Sequence, residues 1–471
     1  MLAKVSVYST TIIILLLCIT MAGIVVGIVV DTWWISCIVP FGLLGLYLLV
    51  YDLRLLYGLL FLTIPLSAEL ELAGGLSTDL MGEPILWALT LLAACYILTQ
   101  GISKQLFSWL TALVVVHLGW VFISALLAED MVIGLKYALA KTWYILPFYV
   151  LPQYILREPG DIRYVLKCFL VGTLAAALYY FAQHWQTDLS FISRTNAGQP
   201  IWRNHVNYAC TLVLNLPIVW YLYKTSDHPD RWIYPLAGVI LCTFMYFAYA
   251  RIVYIAMLIV PLYYLVLRWK LTRPAVLVMI ASAMLSVVWL TQENRYLELA
   301  PVYEQAITQG DFTSKISATT QGTDISTMER LHRWVAGGHM ISDHPWTGVG
   351  PGNFYSVYKP YSVYSFETYV SDNPERSGIH SHYIMVWVEQ GYIGMLIWIS
   401  LLIAALLLIE RRYHQADEQQ RIHLVFAGAL LVMIMTLNLV NDMVEVIKIG
   451  GLFFFVLYVM QREEEEHEQL V

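Results

Sequence analysis

The chain has 471 residues, of which 59% are hydrophobic and only 13% charged, with a formal net charge of −7 at pH 7. A soluble domain carries about 25% charged residues, so this composition excludes a water-soluble globular protein. Much of the acidity sits in the terminal run Glu463 to Glu466, so the net charge says little about ligands, and no nucleic-acid partner is expected.

Apolar runs of about 18 to 22 residues recur along the length, each long enough to cross a hydrocarbon core of roughly 30 Å. The first, Thr11 to Val30, follows Lys4 and has the look of a signal peptide. It is long for one and lacks a small-x-small cleavage site, so it is read as a retained helix. The predicted spans are 9–30, 32–50, 54–67, 84–99, 106–127, 136–153, 163–183, 205–222, 232–249, 251–268, 274–290, 383–408, 422–441 and 446–460. The expected fold is therefore all-α: a polytopic membrane protein with about 12–14 transmembrane helices and one long outer loop carrying short helices, expected at Pro301 to Thr308 and Arg330 to Ile341. In this division 1–290 is a transmembrane bundle, 291–382 the large loop, 383–460 the C-terminal spans and 461–471 a charged tail. Cys18, Cys37, Cys95, Cys168, Cys210 and Cys242 all lie in or beside apolar runs, where they suit the role of small buried hydrophobes, without the paired spacing of a metal site.

Lysine and arginine placement orients the spans. With the N-terminus inside, the inner loops hold Arg54, Lys104, Arg157, Arg163, Lys167, Lys224, Arg231, Arg268, Lys270, Arg273, Arg411, Arg412 and Arg421. The short outer loops are acidic or neutral, which is the positive-inside bias; Lys136, Lys141 and Lys448 are the exceptions. This topology gathers Arg203, Arg251, Arg330, Arg333, His380 and His382 on the outer side.

An arginine fork matches phosphate oxygens and stays charged, so Arg203 and Arg251, at outer helix ends, are candidates to hold a diphosphate at the bilayer surface. The bland reading of Arg251 is a side chain snorkelling to headgroups, and Arg194, Arg333 and Arg376 are read as surface cations. His380 and His382 open the twelfth span, where a histidine can take a proton from a hydroxyl near neutral pH. As half a metal site they find no completing cluster in the loop, so no metal is expected. His332, His339 and His344 read as structural or solvated. Glu389, two turns into that span, is costly there unless it faces a cavity or a partner. Gly348, Gly350 and Gly352 permit a tight turn; no Lys-Ser/Thr follows, so they form no nucleotide loop, and no cofactor is expected. Tyr355, Tyr358, Tyr361, Tyr364 and Tyr369 suit either sugar stacking or an interfacial belt.

Together these pieces resemble a family. Arg330-Leu331, Trp334, His344-Pro345, Gly348-Val349-Gly350-Pro351-Gly352-Asn353-Phe354 and HSHYIMVWVEQGYIG look like the C-terminal signature of the O-antigen ligase and O-antigen polymerase superfamily. The family's histidine is followed nine residues on by Glu and two further by Gly, as His380, Glu389 and Gly391 are here. Ser381 stands where Asn is common, and His382 is an extra histidine that remains a rival. Arg203 to Ala209 and Phe247 to Arg251 are similar to two upstream family segments, with Ala250 in place of Ser. The resemblance implies a metal-independent inverting glycosyltransferase of the bacterial inner membrane with a periplasm-facing site. Its catalytic residues would be His380 or His382 with Glu389, and Arg203, Arg251 and Arg330 would bind the diphosphate. The implied partners are an undecaprenyl-diphosphate-linked glycan, membrane lipid, and as acceptor a lipid A core sugar, a growing glycan or a protein hydroxyl. A lipid-linked glycan transporter is the reading from another class; it requires an internal repeat, and none is visible.

Overall fold

A computed structural model describes residues 52–72, 76–79, 82–158, 160–189, 193–226, 229–299, 325–363 and 378–468. The spans expected at 9–30 and 32–50, with Cys18 and Cys37, lie outside these residues. So do the helical patch expected at Pro301 to Thr308 and residues Tyr364, Tyr369 and Arg376. The chain divides into two units, 1–61 and 62–471. Only residues 52–61 of the first are described, and 53–61 belong to helix α1 (Leu53–Thr63).

The second unit is a multi-helix membrane fold. After a two-stranded antiparallel hairpin (Glu69–Leu72 and Leu76–Asp79) come α2 (Gly82–Gln100), α3 (Trp109–Leu126) and α4 (Met131–Ile145). A π-helical turn (Leu146–Val150) and a short helix (Pro152–Ile155) prolong α4, with Pro147 and Pro152 each removing one backbone donor. Then follow α5 (Asp161–Trp185), α6 (His205–Thr225), α7 (Ile233–Ala248), α8 (Arg251–Arg268), α9 (Thr272–Thr291), α10 (Ile325–Asp343), α11 (His382–Tyr413), α12 (Glu418–Leu437) and α13 (Ile447–Glu468). Every expected span that falls in described residues coincides with one of these helices. Among the described residues eight helices are long and apolar enough to cross a membrane. The hairpin is the departure from an all-α reading; its alternating Glu69-Leu70-Glu71-Leu72 carries the period-two signal of a strand.

Polar caps set the helix starts. Asp130 accepts from Val132 N (2.9 Å) and Ile133 N (3.2 Å) to open α4. Asn204 accepts from Val206 N (3.0 Å) and Asn207 N (2.9 Å) to open α6, which fixes Arg203 just ahead of the first turn. At the other turn of interest, Tyr249 in left-handed conformation (φ 53°) ends α7, and Arg251 becomes the first residue of α8.

Helix α6 packs on α5, α7 and α12; α12 also packs on α8 and α13; α3 lies against α4 and α11, and α10 against α11. Helix α11 is broken at Gly391 (φ 67°, ψ −170°). A Cβ there would lie 2.2 Å from the Trp346 carbonyl oxygen, so the break is where the loop before it presses onto the helix. Of the described cysteines Cys210 is buried, Cys168 half-buried, and Cys95 and Cys242 exposed on apolar helices, so the buried role expected of all of them holds for Cys210 and in part for Cys168.

Candidate functional site

The site is assembled from α10, the backbone of residues 378–382 and the turn between α12 and α13. On α10, Glu329 and Arg333 stand one turn apart, as do Arg330 and Trp334, so all four share a helix face. Glu329 accepts from Arg333 Nη2, and Arg333 donates its second arm to the Gly378 carbonyl at 2.7 Å. Trp334 Nε1 donates to the Ile379 carbonyl at 3.1 Å, and Arg330 Nε to the Val440 carbonyl at 3.2 Å. One helix face thus grips both loops.

His380, where those loops meet, sits in the left-handed region (φ 60°). A non-glycine residue there is sparsely allowed and persists when its surroundings hold it. The holder is Asp442, whose carboxylate accepts from the His380 backbone N–H at 3.2 Å and also from that of Ser381. The imidazole Nε2 lies 4.0 Å from Glu329 Oε1, and the side chain keeps 26% of its surface exposed. Burial, then the nearby Arg330 and Arg333, hold its pKa well below the ordinary value, so it is neutral at physiological pH. Asp442 is pushed up to about 7, chiefly by burial and by Glu445, against the N–H groups it accepts and Arg333.

His382 faces a different environment. It is 2% exposed, stacks edge-on against Trp398 (4.9 Å) and places Nδ1 3.5 Å from Glu445 Oε1. That same carboxylate oxygen accepts from Tyr137 OH at 2.7 Å and Lys141 Nζ at 2.8 Å. Burial pushes Glu445 up, but Lys141, His382 and these hydrogen bonds outweigh it and hold the group below its ordinary value.

Glu389 is 1% exposed and serves the glycine loop. Its Oε1 accepts from Phe354 N at 3.2 Å, and Gly352 N also donates to the side chain. The loop returns along the helix backbone: Val349 N donates to Val388 O (3.0 Å) and Gly350 N to Glu389 O (2.9 Å). Beneath it Met340, Ile341, Val349, Phe354, Tyr358, Ile379 and Val388 form a separate apolar cluster, each large side chain contributing roughly 1.5–3 kcal/mol. Gly348 (φ 69°) lies so close that a Cβ would come 2.3 Å from the Glu389 carbonyl carbon. Gly348→Ala is expected to lower the unfolding temperature of the detergent-solubilised protein, since the left-handed backbone alone costs about 1–2 kcal/mol; an unchanged midpoint would refute this packing.

Arg203 is exposed and Arg251 half-buried. Arg194, expected at the surface, is 8% exposed. Burial draws its pKa down to about 10, with Tyr180 and Tyr249 opposing and Arg251 adding to the fall, so two guanidinium groups share one neighbourhood. Arg333 is likewise 1% exposed and ion-paired rather than superficial. The start of α13 joins the parts: Lys448, one turn from Glu445, donates to Ile201 O (2.6 Å) and lies 5.5 Å over the Trp202 ring. Arg330, His380 and His382 therefore stand together, with the segment leading to Arg203 at the same end of α13; Arg194 and Arg251 lie beyond it, on α5 to α8.

Glu329, Asp442, Glu445, Lys141 and Tyr137 carry no role in the sequence reading, and Arg333 is read there as a surface cation. Lys141 and Glu445 had a signal: each is a charge in or beside an apolar run, where a partner is demanded.

Residues 236–399 match the model of the family described as O-antigen ligase. The stretch covers Arg251, Arg330, His380, His382 and Glu389, and bears out the resemblance read from the motifs. No curated protein sequence matches the chain. Over these residues the chain is similar to that family, and its eight long apolar helices among the described residues make it a multi-pass membrane protein.

Proposed function

We propose, from the O-antigen ligase match over residues 236–399, that this protein transfers a glycan from undecaprenyl diphosphate to an acceptor hydroxyl, of the lipid A core type, at the periplasmic face of the bacterial inner membrane. The observation that carries the reading is His380: a partly exposed, neutral imidazole whose strained backbone is held by Asp442 between Arg330 and Arg333.

In this mechanism His380 accepts the proton of the acceptor hydroxyl as its oxygen attacks the anomeric carbon. The bond from that carbon to the diphosphate breaks on the opposite face, with inversion, and the leaving diphosphate takes the electron pair. Arg203 and Arg251 hold the diphosphate. Each stands at a helix start, where N–H groups and the helix dipole favour an anion. Arg330 stabilises charge nearer the histidine. His382, enclosed by Glu445 and Trp398, is a supporting residue, and Glu389 positions the glycine loop rather than meeting substrate.

The deciding experiment incubates purified protein with a defined undecaprenyl-diphosphate glycan, EDTA, and in separate reactions a lipid A core, a repeat-unit acceptor and a Ser/Thr peptide. Product on the core supports the ligase reading. Product only on the repeat unit or peptide makes it a polymerase or protein transferase, and movement of lipid across liposomes without a new glycosidic bond would remove enzyme function altogether. Arg251→Ala is expected to reduce kcat/KM for the donor by about 10²-fold or more, as for loss of a charge-stabilising donor, and equal kinetics would remove it from the site.

The pH profile separates two groups. His380 has its proton off throughout pH 5–8, so its own titration gives no limb in that range. Asp442, held up to about 7, gains charge as pH rises through that value and then holds the His380 N–H more strongly. Transfer is expected to rise between pH 6 and 8 in the native protein and to stay flat in Asp442→Asn; a limb unchanged in that variant would assign it elsewhere.

A further inference from the structure

The far end of α13 borders a second polar feature. A cavity of about 560 Å³ opens between the turn after α2, the short helix prolonging α4 and the last turns of α13. Arg462 lies about 22 Å along α13 from its start, at 1.5 Å rise per residue, so this cavity is at the opposite end of the bundle from His380. By the positive-inside pattern it faces the cytoplasmic leaflet.

Its lining is polar: Gln100, Gln105, Gln153, Tyr154, Arg157 and Arg462 all contribute. Most of these groups are fixed by other contacts. Tyr154 OH donates to Gly101 O (2.9 Å) and accepts from Ser103 N (3.1 Å), while Tyr458 OH donates to Leu156 O (3.0 Å), so the walls are rigid. Arg157 uses Nε on Tyr154 O (3.0 Å), and Arg462 uses Nη2 on Glu158 O (2.6 Å). The nearby Asp161 carboxylate accepts from Glu158 N at 2.7 Å. Two buried atoms have no hydrogen-bond partner among the described residues: Arg462 Nη1, a charged donor, and Oε1 of Gln153, whose residue is 8% exposed. An unmatched buried donor on a guanidinium costs more than a neutral one, and its natural complement is an anion. The orphan acceptor on Gln153 asks for a hydroxyl or another donor on the same molecule.

We propose that this cavity binds a phosphate ester carrying a hydroxylated substituent, with the phosphate between Arg462 and Arg157 and a hydroxyl on Gln153. A volume of this size accommodates a headgroup-sized molecule. Two arginines line the cavity where a single lipid-anchoring cation needs only one, and the glutamines match a polyol rather than a choline. The source of the phosphate is either a phosphatidylglycerol-type headgroup or a free phosphate ester.

The test titrates the purified full-length protein in detergent with dihexanoyl phosphatidylglycerol, dihexanoyl phosphatidylcholine and glycerol 3-phosphate, reading the shift in unfolding temperature. The phosphatidylglycerol lipid is expected to bind at least about tenfold more tightly than the phosphatidylcholine, in line with added charge-assisted hydrogen bonds. Arg462→Gln and, separately, Arg157→Gln should each abolish that preference; Arg157 is exposed and makes one backbone contact, so its variant keeps the test open if the other fails to fold. Glycerol 3-phosphate binding as well as the lipid would identify a free ester as the source. Equal binding of the two lipids with no effect of glycerol 3-phosphate, or an Arg157→Gln protein indistinguishable from the native one, would overturn the proposal.

Discussion

His380→Ala is expected to reduce glycan transfer by about 10²–10⁴-fold, the range for loss of a positioned base, with the unfolding midpoint in detergent nearly unchanged. The asymmetry comes from where the side chain points its functional weight. The interactions that fix this residue run through its backbone: the N–H goes to Asp442, and the flanking carbonyls of Gly378 and Ile379 go to Arg333 and Trp334. An alanine keeps all three. His382→Ala is the control with the opposite profile, since it empties a space beside Trp398 and takes a partner from Glu445; it should cost stability before activity. Initial rates and thermal midpoints for the pair decide the matter. A fully active His380→Ala protein, alongside a folded but dead His382→Ala protein, would reverse the assignment.

The largest expected effect on stability belongs to Glu445→Gln. The substitution leaves Lys141, with 3% of its side chain exposed, without its countercharge. Removing one member of a buried pair costs about 3–5 kcal/mol, because the remaining charge is stranded. Replacing both, as Lys141→Met with Glu445→Gln, should recover much of that loss, and a double variant no better than the single would show that the pair is not the cause. The same pair gives a pH signature. Glu445 is held below its ordinary value in the folded protein, so it binds fewer protons than in the unfolded chain. Its contribution is therefore complete above an unfolded pKa of about 4.3 and fades as pH falls through the lower folded value. Denaturant midpoints between pH 3 and 7 would report it as a slope that Glu445→Gln lacks.

The spans were legible because hydropathy is local: a run of apolar residues specifies a spanning helix wherever its neighbours lie. Every span expected within the described residues corresponds to a helix, and the match at 236–399 bears out the family signature. Pairings were not legible. Tyr137 and Lys141 reach Glu445 across 308 and 304 residues, and nothing within either apolar run names the other. Arg333 was misread for a related reason. In the sequence it is one more cation on an amphipathic stretch; in the fold it is buried because Gly378 O and Glu329 converge on it. The placement of Arg194 beside Arg251 likewise needed tertiary structure, since their association depends on how α5 and α7 turn back. The resemblance favours His380 over its rival His382 by the family's spacing to Glu389, but the left-handed backbone of His380 and its tie to Asp442 are not legible there, because strain is a property of the loop closed around it.

The break at Gly391 also sets a depth. Residues 392–409, the uncharged stretch after the break, cover about 27 Å at 1.5 Å each, close to the thickness of the hydrocarbon layer. Residues 382–390, ahead of the break, lie on the proposed reading toward the headgroup zone. On the proposed reading, the bond that breaks sits level with the diphosphate of a lipid whose tail never leaves the bilayer. The sugar chain extends from that plane toward the outer side. A transferase that fits its donor only at the reacting carbon and the diphosphate would leave the length of the product to whatever builds the donor.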